Sequence, residues 1–217
     1  MVSTISTRTI DPDVVPSPER LRMSYDDYLD WHDRDAGRRG EWVDGEVIVF
    51  MSTTYRHEEL VTFLVSLLNY VMKKGRLGVV ITPGYELRTR DGAAREPDLQ
   101  VILNAHLDRI THRRLVGAAD LVVEIVSDDS VKRDRDDKHA EYAAAGIPEY
   151  WIVDPREGNE SLDIFALVRG TYVAVDPEVD GSLRSRVIPG VWMHRDWLLA
   201  DELPDPFDIG AEIVRTF

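Results

Sequence analysis

Two stretches decide how the chain is read: Glu96-Pro97-Asp98-Leu99-Gln100-Val101-Ile102-Leu103 and Asp120-Leu121-Val122-Val123-Glu124-Ile125-Val126-Ser127. A polar run, Asp134-Arg135-Asp136-Asp137-Lys138-His139-Ala140-Glu141-Tyr142, follows them. A strand buried on both faces is nearly continuous Val, Ile and Leu, so an acid inside it must be paired, metal-bound or protonated. Glu124 follows three apolar residues and precedes two, which keeps it away from a frayed strand end. Asp98 opens an apolar run of its own. If the two strands lie side by side, both carboxylates meet at one sheet edge. The plainer alternative is a structural ion pair between the buried acid and an arginine such as Arg113 or Arg133.

Working outward, Ser24 with Asp27 resembles a capping box, and Met23 can staple against Tyr28, so a short helix is expected to end before Gly37. Asp44-Gly45 between Glu41-Trp42-Val43 and Glu46 to Phe50 signals a hairpin with a type I′ turn. Ser52 to Thr54 offer cap hydroxyls for a helix from about Arg56 to Lys74. Leu60, Leu64, Leu67, Leu68 and Val71 form its core stripe, His57 lies on or near the same face, and Gly75 closes it. Val79 to Thr82, Tyr85 to Thr89 and Asp98 to Leu103 read as consecutive antiparallel strands joined at Pro83-Gly84 and Asp91-Gly92. Asn104 to Gly117 reads as a connection. Beyond the Glu124 strand, a helix is expected from Asp134 to Ala145 with Gly146 behind it. Strands follow at Glu149 to Asp154, Ser161 to Val168 and Thr171 to Val175, then a tail with a short helix at Arg195 to Ala200 and proline-punctuated acidic residues.

With 217 residues, 43% hydrophobic and 30% charged, the chain is long enough for one packed domain, expected over residues 21–217 behind a flexible lead-in over residues 1–20. It has no cysteine, so disulfides and thiolate zinc sites are excluded and any metal must be held by oxygen or imidazole. No apolar run reaches the roughly 20 residues of a membrane span, and the N-terminus has no signal-peptide core, so a cytoplasmic protein is expected. A net charge of −14 weighs against broad adhesion to nucleic acid, though not against a local basic cleft. Arg109 to Arg114 and Lys132 to Arg135 are basic clusters that solvated loops would explain equally.

Asp98, Glu124 and Lys138 form the leading chemical constellation. Mg²⁺ (or Mn²⁺) wants carboxylate oxygens and water, and a site with one or two carboxylates leaves room for phosphate. Such an ion polarises a phosphoryl oxygen and acidifies water, while an ammonium orients or deprotonates that water or offsets transition-state charge. Lys138 and Tyr142 share a helix face at i,i+4, yet an exposed lysine paired with Asp134 satisfies the same pattern. Tyr142, Tyr150 and Trp151 could stack on bases but read better as core or cleft-wall packing.

Glu41-Trp42-Val43-Asp44-Gly45-Glu46-Val47, His57 at a helix start, Glu96-Pro97-Asp98, Asp120 to Ser127, Asp134 to Tyr142 and Gly146-Ile147-Pro148-Glu149-Tyr150-Trp151-Ile152-Val153-Asp154-Pro155, in this order, resemble the Uma2 family of restriction-endonuclease-like proteins in the PD-(D/E)XK nuclease superfamily. The resemblance implies an α/β fold: a restriction-endonuclease-like mixed β-sheet flanked by helices, with additional β-hairpins. It implies an endonuclease that cleaves DNA with Mg²⁺, and a homodimer. Pro97-Asp98 would be the first half-motif and Glu124 the second acid. The superfamily lysine two residues after that acid is replaced here by Val126, and Lys138 is the natural substitute from the following helix. Glu41 resembles an auxiliary acid, so the implied metal set is Asp98, Glu124 and Glu41, with His57 a candidate partner of Glu41. Two other classes remain open: a non-catalytic module that binds nucleic acid or protein, and a phosphohydrolase of small phosphoesters.

Overall fold

A computed structural model describes residues 17–34 and 39–217. The expected lead-in lies outside the described residues as far as residue 16, and so does the helix end expected near Gly37. From Arg20 onward the chain is already in a strand.

Two six-stranded mixed sheets organise the described residues. The first contains β1 (Arg20–Arg22), β2 (Gly40–Val43), β3 (Glu46–Val49), β5 (Glu86–Arg90), β6 (Ala93–Arg95) and β8 (Arg114–Val116), in the order β1-β3-β2-β6-β5-β8. The second contains β4 (Gly78–Ile81), β7 (Leu99–Leu103), β9 (Leu121–Ile125), β10 (Glu149–Asp154), β11 (Ser161–Val168) and β12 (Thr171–Ala174), in the order β12-β11-β10-β9-β7-β4. A separate hairpin pairs β13 (Ser182–Arg184) with β14 (Trp192–His194). The strands expected to run consecutively through residues 79–103 are instead divided. β4 pairs antiparallel with β7, while β5 and β6 fold back around the Asp91-Gly92 turn into the other sheet. The chain returns to the second sheet through Glu96-Pro97-Asp98, so the signature segment is the crossing between sheets.

Local chemistry explains the elements that position this crossing. Asp44 and Gly45 both have positive φ, 49° and 87°, as a two-residue type I′ turn requires, and β2 and β3 pair from Gly40↔Val49 to Val43↔Glu46. Helix α1 (Tyr25–Arg34) starts behind Ser24, whose Oγ accepts from Asp27 N at 3.2 Å and donates to Asp27 Oδ2 at 2.7 Å. Helix α2 (Tyr55–Gly75) starts behind Thr54, whose side chain accepts from His57 N at 3.2 Å. It ends on Arg76, which takes the left-handed conformation expected of Gly75.

Period-two alternation in β9 divides the core. Leu121, Val123 and Ile125 pack with Leu60, Leu64, Leu67 and Leu68 of α2. Val122 and Val126 pack with Tyr142, Ile147 and Tyr150 on the opposite face. Glu124 therefore belongs to the second face, between two valines. The segment after β9 enters a helix through a π-helical turn, Arg133–Lys138, that continues as α3 (His139–Ala144). Gly146 follows with φ 77°.

The elements not anticipated from sequence include β1, β6, β8, the β13–β14 hairpin and α5 (Pro206–Val214), which docks on α2 by burying Ile209 and Ile213. Before it, α4 (Arg195–Leu199) matches the short helix expected in the tail. Among the described residues no helix is long and apolar enough to cross a membrane.

Candidate active site

The register of β7 on β9 pairs Leu99 with Val123, which sets Asp98 opposite Glu124. Asp98 Oδ2 accepts from Ile125 N at 2.7 Å, and His57 Nε2 lies 3.4 Å from the same oxygen. Its other oxygen, Oδ1, remains available to a ligand. Glu124 is similarly divided. Tyr142 OH donates to Oε1 at 2.8 Å and Lys138 Nζ stands 2.9 Å from it, which leaves Oε2.

Lys138 is the hub of the buried charge. Its Nζ lies 2.9 Å from Glu124, 3.0 Å from Glu41 and 3.1 Å from Asp134, and the residue is only 3% exposed. It is therefore neither an exposed helix lysine nor Asp134's partner alone. The arginines considered as partners of Glu124 act elsewhere: Arg113 pairs with Asp33, and Arg133 approaches Glu41 and Asp129. Val126, where the superfamily lysine would stand, is buried among the apolar residues of the second face.

Glu41 stands behind the lysine and does not line the cavity. It is fully buried, with Oε2 3.1 Å from Arg95 Nη1 and Oε1 accepting from Glu96 N at 3.3 Å. Arg95 is itself gripped by Glu141, whose Oε2 accepts from Nη2 at 2.7 Å, and Thr89 donates to Glu141 at 2.6 Å. His57, considered as a partner of Glu41, sits instead beside Asp98, because the first turn of α2 packs at the start of β7.

The acids respond differently to this shared burial. Burial pushes Glu124 up to about 8, and Asp134, Asp98 and Glu41 add to the rise against the pull of Lys138. Burial also opposes ionisation of Glu41, but Lys138, Arg95 and Arg133 outweigh it and hold the carboxyl down at about 2. Burial raises Asp134 as well. Lys138 is itself held above its ordinary range, because Asp134, Glu124 and Glu41 overcome the desolvation that would discharge it. His57 is raised because Asp98 outweighs the opposing effect of burial.

Asp98, Glu124, Lys138, Asp134, His57 and Arg133 line a cavity of about 450 Å³. Among the described residues, four buried side-chain polar atoms lack a hydrogen bond, and three are on these lining residues: His57 Nδ1, Arg133 Nε and Asp134 Oδ1. Each faces an opposite charge, at 3.6, 3.8 and 3.1 Å respectively, without completing a hydrogen bond.

Tyr142 was expected to be packing and proves to be both packing and a direct partner of Glu124. Its i,i+4 spacing from Lys138 was the available signal. Asp134, one turn before Lys138, carried the same signal, whereas Arg95 and Arg133 had none that separated them from surface arginines.

Residues 25–199 match the Uma2 family, described as "Putative restriction endonuclease". A solved structure from Anabaena variabilis, titled a putative nuclease belonging to DUF820, superposes with a TM-score of 0.60 at 18% identity, covering 74% of this chain and 89% of that one. At that identity the likeness bears on the fold. No curated protein matches. The match over most of the chain establishes that the protein belongs to the Uma2 family.

Proposed function

We propose that the chain is a metal-dependent endonuclease that hydrolyses DNA phosphodiester bonds, with Asp98 and Glu124 holding Mg²⁺ (or Mn²⁺). The observation that carries this reading is the pairing of Asp98 with Glu124 across β7 and β9, on a cavity wall shared with Lys138. The donors suit a hard cation. Each acid has one oxygen engaged by the protein and one available, and carboxylates outnumber the cations that face them. Among the described residues no group of three or more His, Asp or Glu could hold a metal ion, so the expected set of Asp98, Glu124 and Glu41 is not assembled and the reading rests on Asp98 and Glu124 alone. Mg²⁺ commonly keeps water and substrate phosphate beside one or two carboxylates. When bound, such an ion supplies Lewis-acid polarisation of the phosphoryl group and a more acidic water.

The chain's own groups complete the task. Lys138, held firmly as an ammonium, is suited to offset negative charge developing on the phosphoryl oxygens rather than to accept a proton. Glu41 and Asp134 keep that ammonium in place, so Glu124 can turn to a ligand without releasing the lysine. Tyr142 fixes the Glu124 carboxylate, and Ile125 N and His57 fix that of Asp98. In this reading Glu41 serves the site by anchoring Lys138. The homodimer implied by the family resemblance would have in β12 a free sheet edge, flanked by the exposed Val168 and Val173.

The test is incubation of the purified protein with supercoiled plasmid and with labelled single- and double-stranded oligonucleotides in Mg²⁺ or Mn²⁺. Cleavage of at least one of these is expected, with a loss of at least about 100-fold in Asp98→Ala and Glu124→Ala. Cleavage that persists undiminished in both variants would overturn the assignment.

A further inference from the structure

The cavity lining is of two chemical kinds. Asp98, Glu124, Lys138 and Asp134 are charged, whereas the half-buried Phe50, Met51 and Pro83 are apolar. Arg39 joins them. Its guanidinium carbon sits 5.6 Å from the Phe50 ring centroid, and Phe50 N donates to Arg39 O at 2.8 Å. Arg39 Nε and Nη2 donate to Glu96 Oε2 at 3.1 and 3.0 Å, so the guanidinium is fixed while three of its five N–H donors remain. Arg133 adds a second guanidinium on the wall, approaching Glu41 through Nε at 3.8 Å and Asp129 through Nη2 at 3.5 Å.

Size, charge and shape then narrow the substrate. A cavity of about 450 Å³ is on the scale of small-molecule sites, roughly 300–1,000 Å³. On that scale it suits a single nucleotide better than a length of duplex. Glu124 and Lys138 are each only 3% exposed, so the backbone of an intact duplex lying on the surface would stay remote from them. Tight duplex binding also needs many phosphates neutralised. The protein carries net charge −14, and several surface arginines are already paired within the chain, among them Arg20 with Glu46, Arg90 with Asp44 and Arg113 with Asp33.

We propose that the cavity receives one unpaired nucleotide of a nucleic-acid strand, its base on Phe50 and Met51 and its phosphates at Arg39 and Arg133, so that the substrate is a single-stranded segment rather than a duplex. This rests on the nuclease reading for what happens after binding, but binding itself is independent of it. A flat aromatic face suits any base, so the site stacks without reading sequence. The Arg39 guanidinium, fixed beside that ring, suits the adjoining phosphate.

The test is fluorescence anisotropy with a fluorescein-labelled oligothymidylate and, separately, a labelled duplex of equal length, in EDTA so that no cleavage intervenes. The single strand is expected to bind at least tenfold more tightly. Its log affinity should fall with log salt at a slope of about −1.4, from two phosphates at about −0.7 each. Phe50→Ala is expected to weaken the single strand by roughly 10- to 100-fold. Phe50→Leu, which keeps apolar bulk without the ring, should fall in the same direction while thermal unfolding confirms that it folds. Equal or tighter duplex binding, no effect of either Phe50 substitution, or no binding of either probe would overturn the proposal. Failure of the nuclease reading is separately visible as cleavage indifferent to Asp98→Ala and Glu124→Ala, and it leaves the anisotropy result standing.

Discussion

Glu41, Glu124 and Asp134 share one ammonium, and they do not share it equally. Glu41 also has Arg95 and the approach of Arg133, so its charge is over-compensated and its carboxyl is held at about 2. Glu124 has Lys138 and a tyrosine hydroxyl, faces three other carboxylates, and rises to about 8. The two acids should therefore act on stability with opposite signs. For Glu124 the folded protein binds a proton that the unfolded chain, with an ordinary value of 4.5, has lost. Its contribution is fully present below pH 4.5 and fades as pH rises through about 8. For Glu41 the contribution is present above pH 4.5 and is lost as pH falls toward about 2. In metal-free protein, Glu124→Gln is expected to flatten the decline of urea-unfolding stability between pH 5 and 8. Glu41→Gln should cost about 3–5 kcal/mol at neutral pH, because it strips a counter-ion from two buried cations. Equal effects from the two substitutions would show that these acids are interchangeable, contrary to this account.

The lysine that reaches Glu124 stands at the end of a distorted turn of the helix that carries it. Arg133–Lys138 form a π-helical turn, a conformation that is rare and is often found at functional sites. Tyr150 OH reaches from β10 to donate to Asp134 O inside that turn at 2.9 Å, and Ser130 Oγ grips the Asp134 side chain. Tyr150→Phe is expected to cost about 1–3 kcal/mol through the lost buried hydrogen bond. Its amide exchange should accelerate first within residues 133–138; uniform acceleration across the domain would deny the turn a distinct dependence on Tyr150. None of this was legible in advance: the sequence signals a helix here, but a π-turn leaves the hydrophobic pattern nearly unchanged. Long or strongly patterned elements were legible. The leucine stripe of α2, the Asp44-Gly45 hairpin and the apolar β9 and β10 each carry enough signal to be placed within a residue or two. The strands β1, β6 and β8 are three residues long, too short to alternate visibly, and α5 was obscured by the prolines and acids that precede it. Of the site, Asp98, Glu124 and Lys138 were legible as chemistry-bearing residues, whereas Arg95 and Glu141, which join in anchoring Glu41, depend on a fold-back between sheets that local sequence does not encode.

At the scale of the molecule, the site is where two sheets exchange the chain. Glu41 comes from β2 in the first sheet, Glu124 from β9 in the second, and Asp98 ends the segment that passes between them. An excess of buried carboxylate at such a junction weakens the fold until something positive arrives, so a divalent cation bound there should stabilise the whole domain. Stabilisation by a ligand that binds only the folded state is RT ln(1 + [L]/Kd), about 1.4 kcal/mol at tenfold excess over Kd. For a chain of this size that corresponds to a rise in Tm of roughly 3–6 °C. The sign of its pH dependence follows from Glu124, whose carboxyl retains a proton below about pH 8 and must release it to serve a cation as a carboxylate. The rise in Tm on adding Mg²⁺ or Mn²⁺ is therefore expected to be larger at pH 8.5 than at pH 6, and absent in Asp98→Ala. Glu124→Gln should also lose the pH dependence, since the amide has no proton to exchange. A Tm rise that is the same at both pH values, or that survives Asp98→Ala, would place the cation elsewhere on this acidic surface and separate the charge of the junction from metal binding.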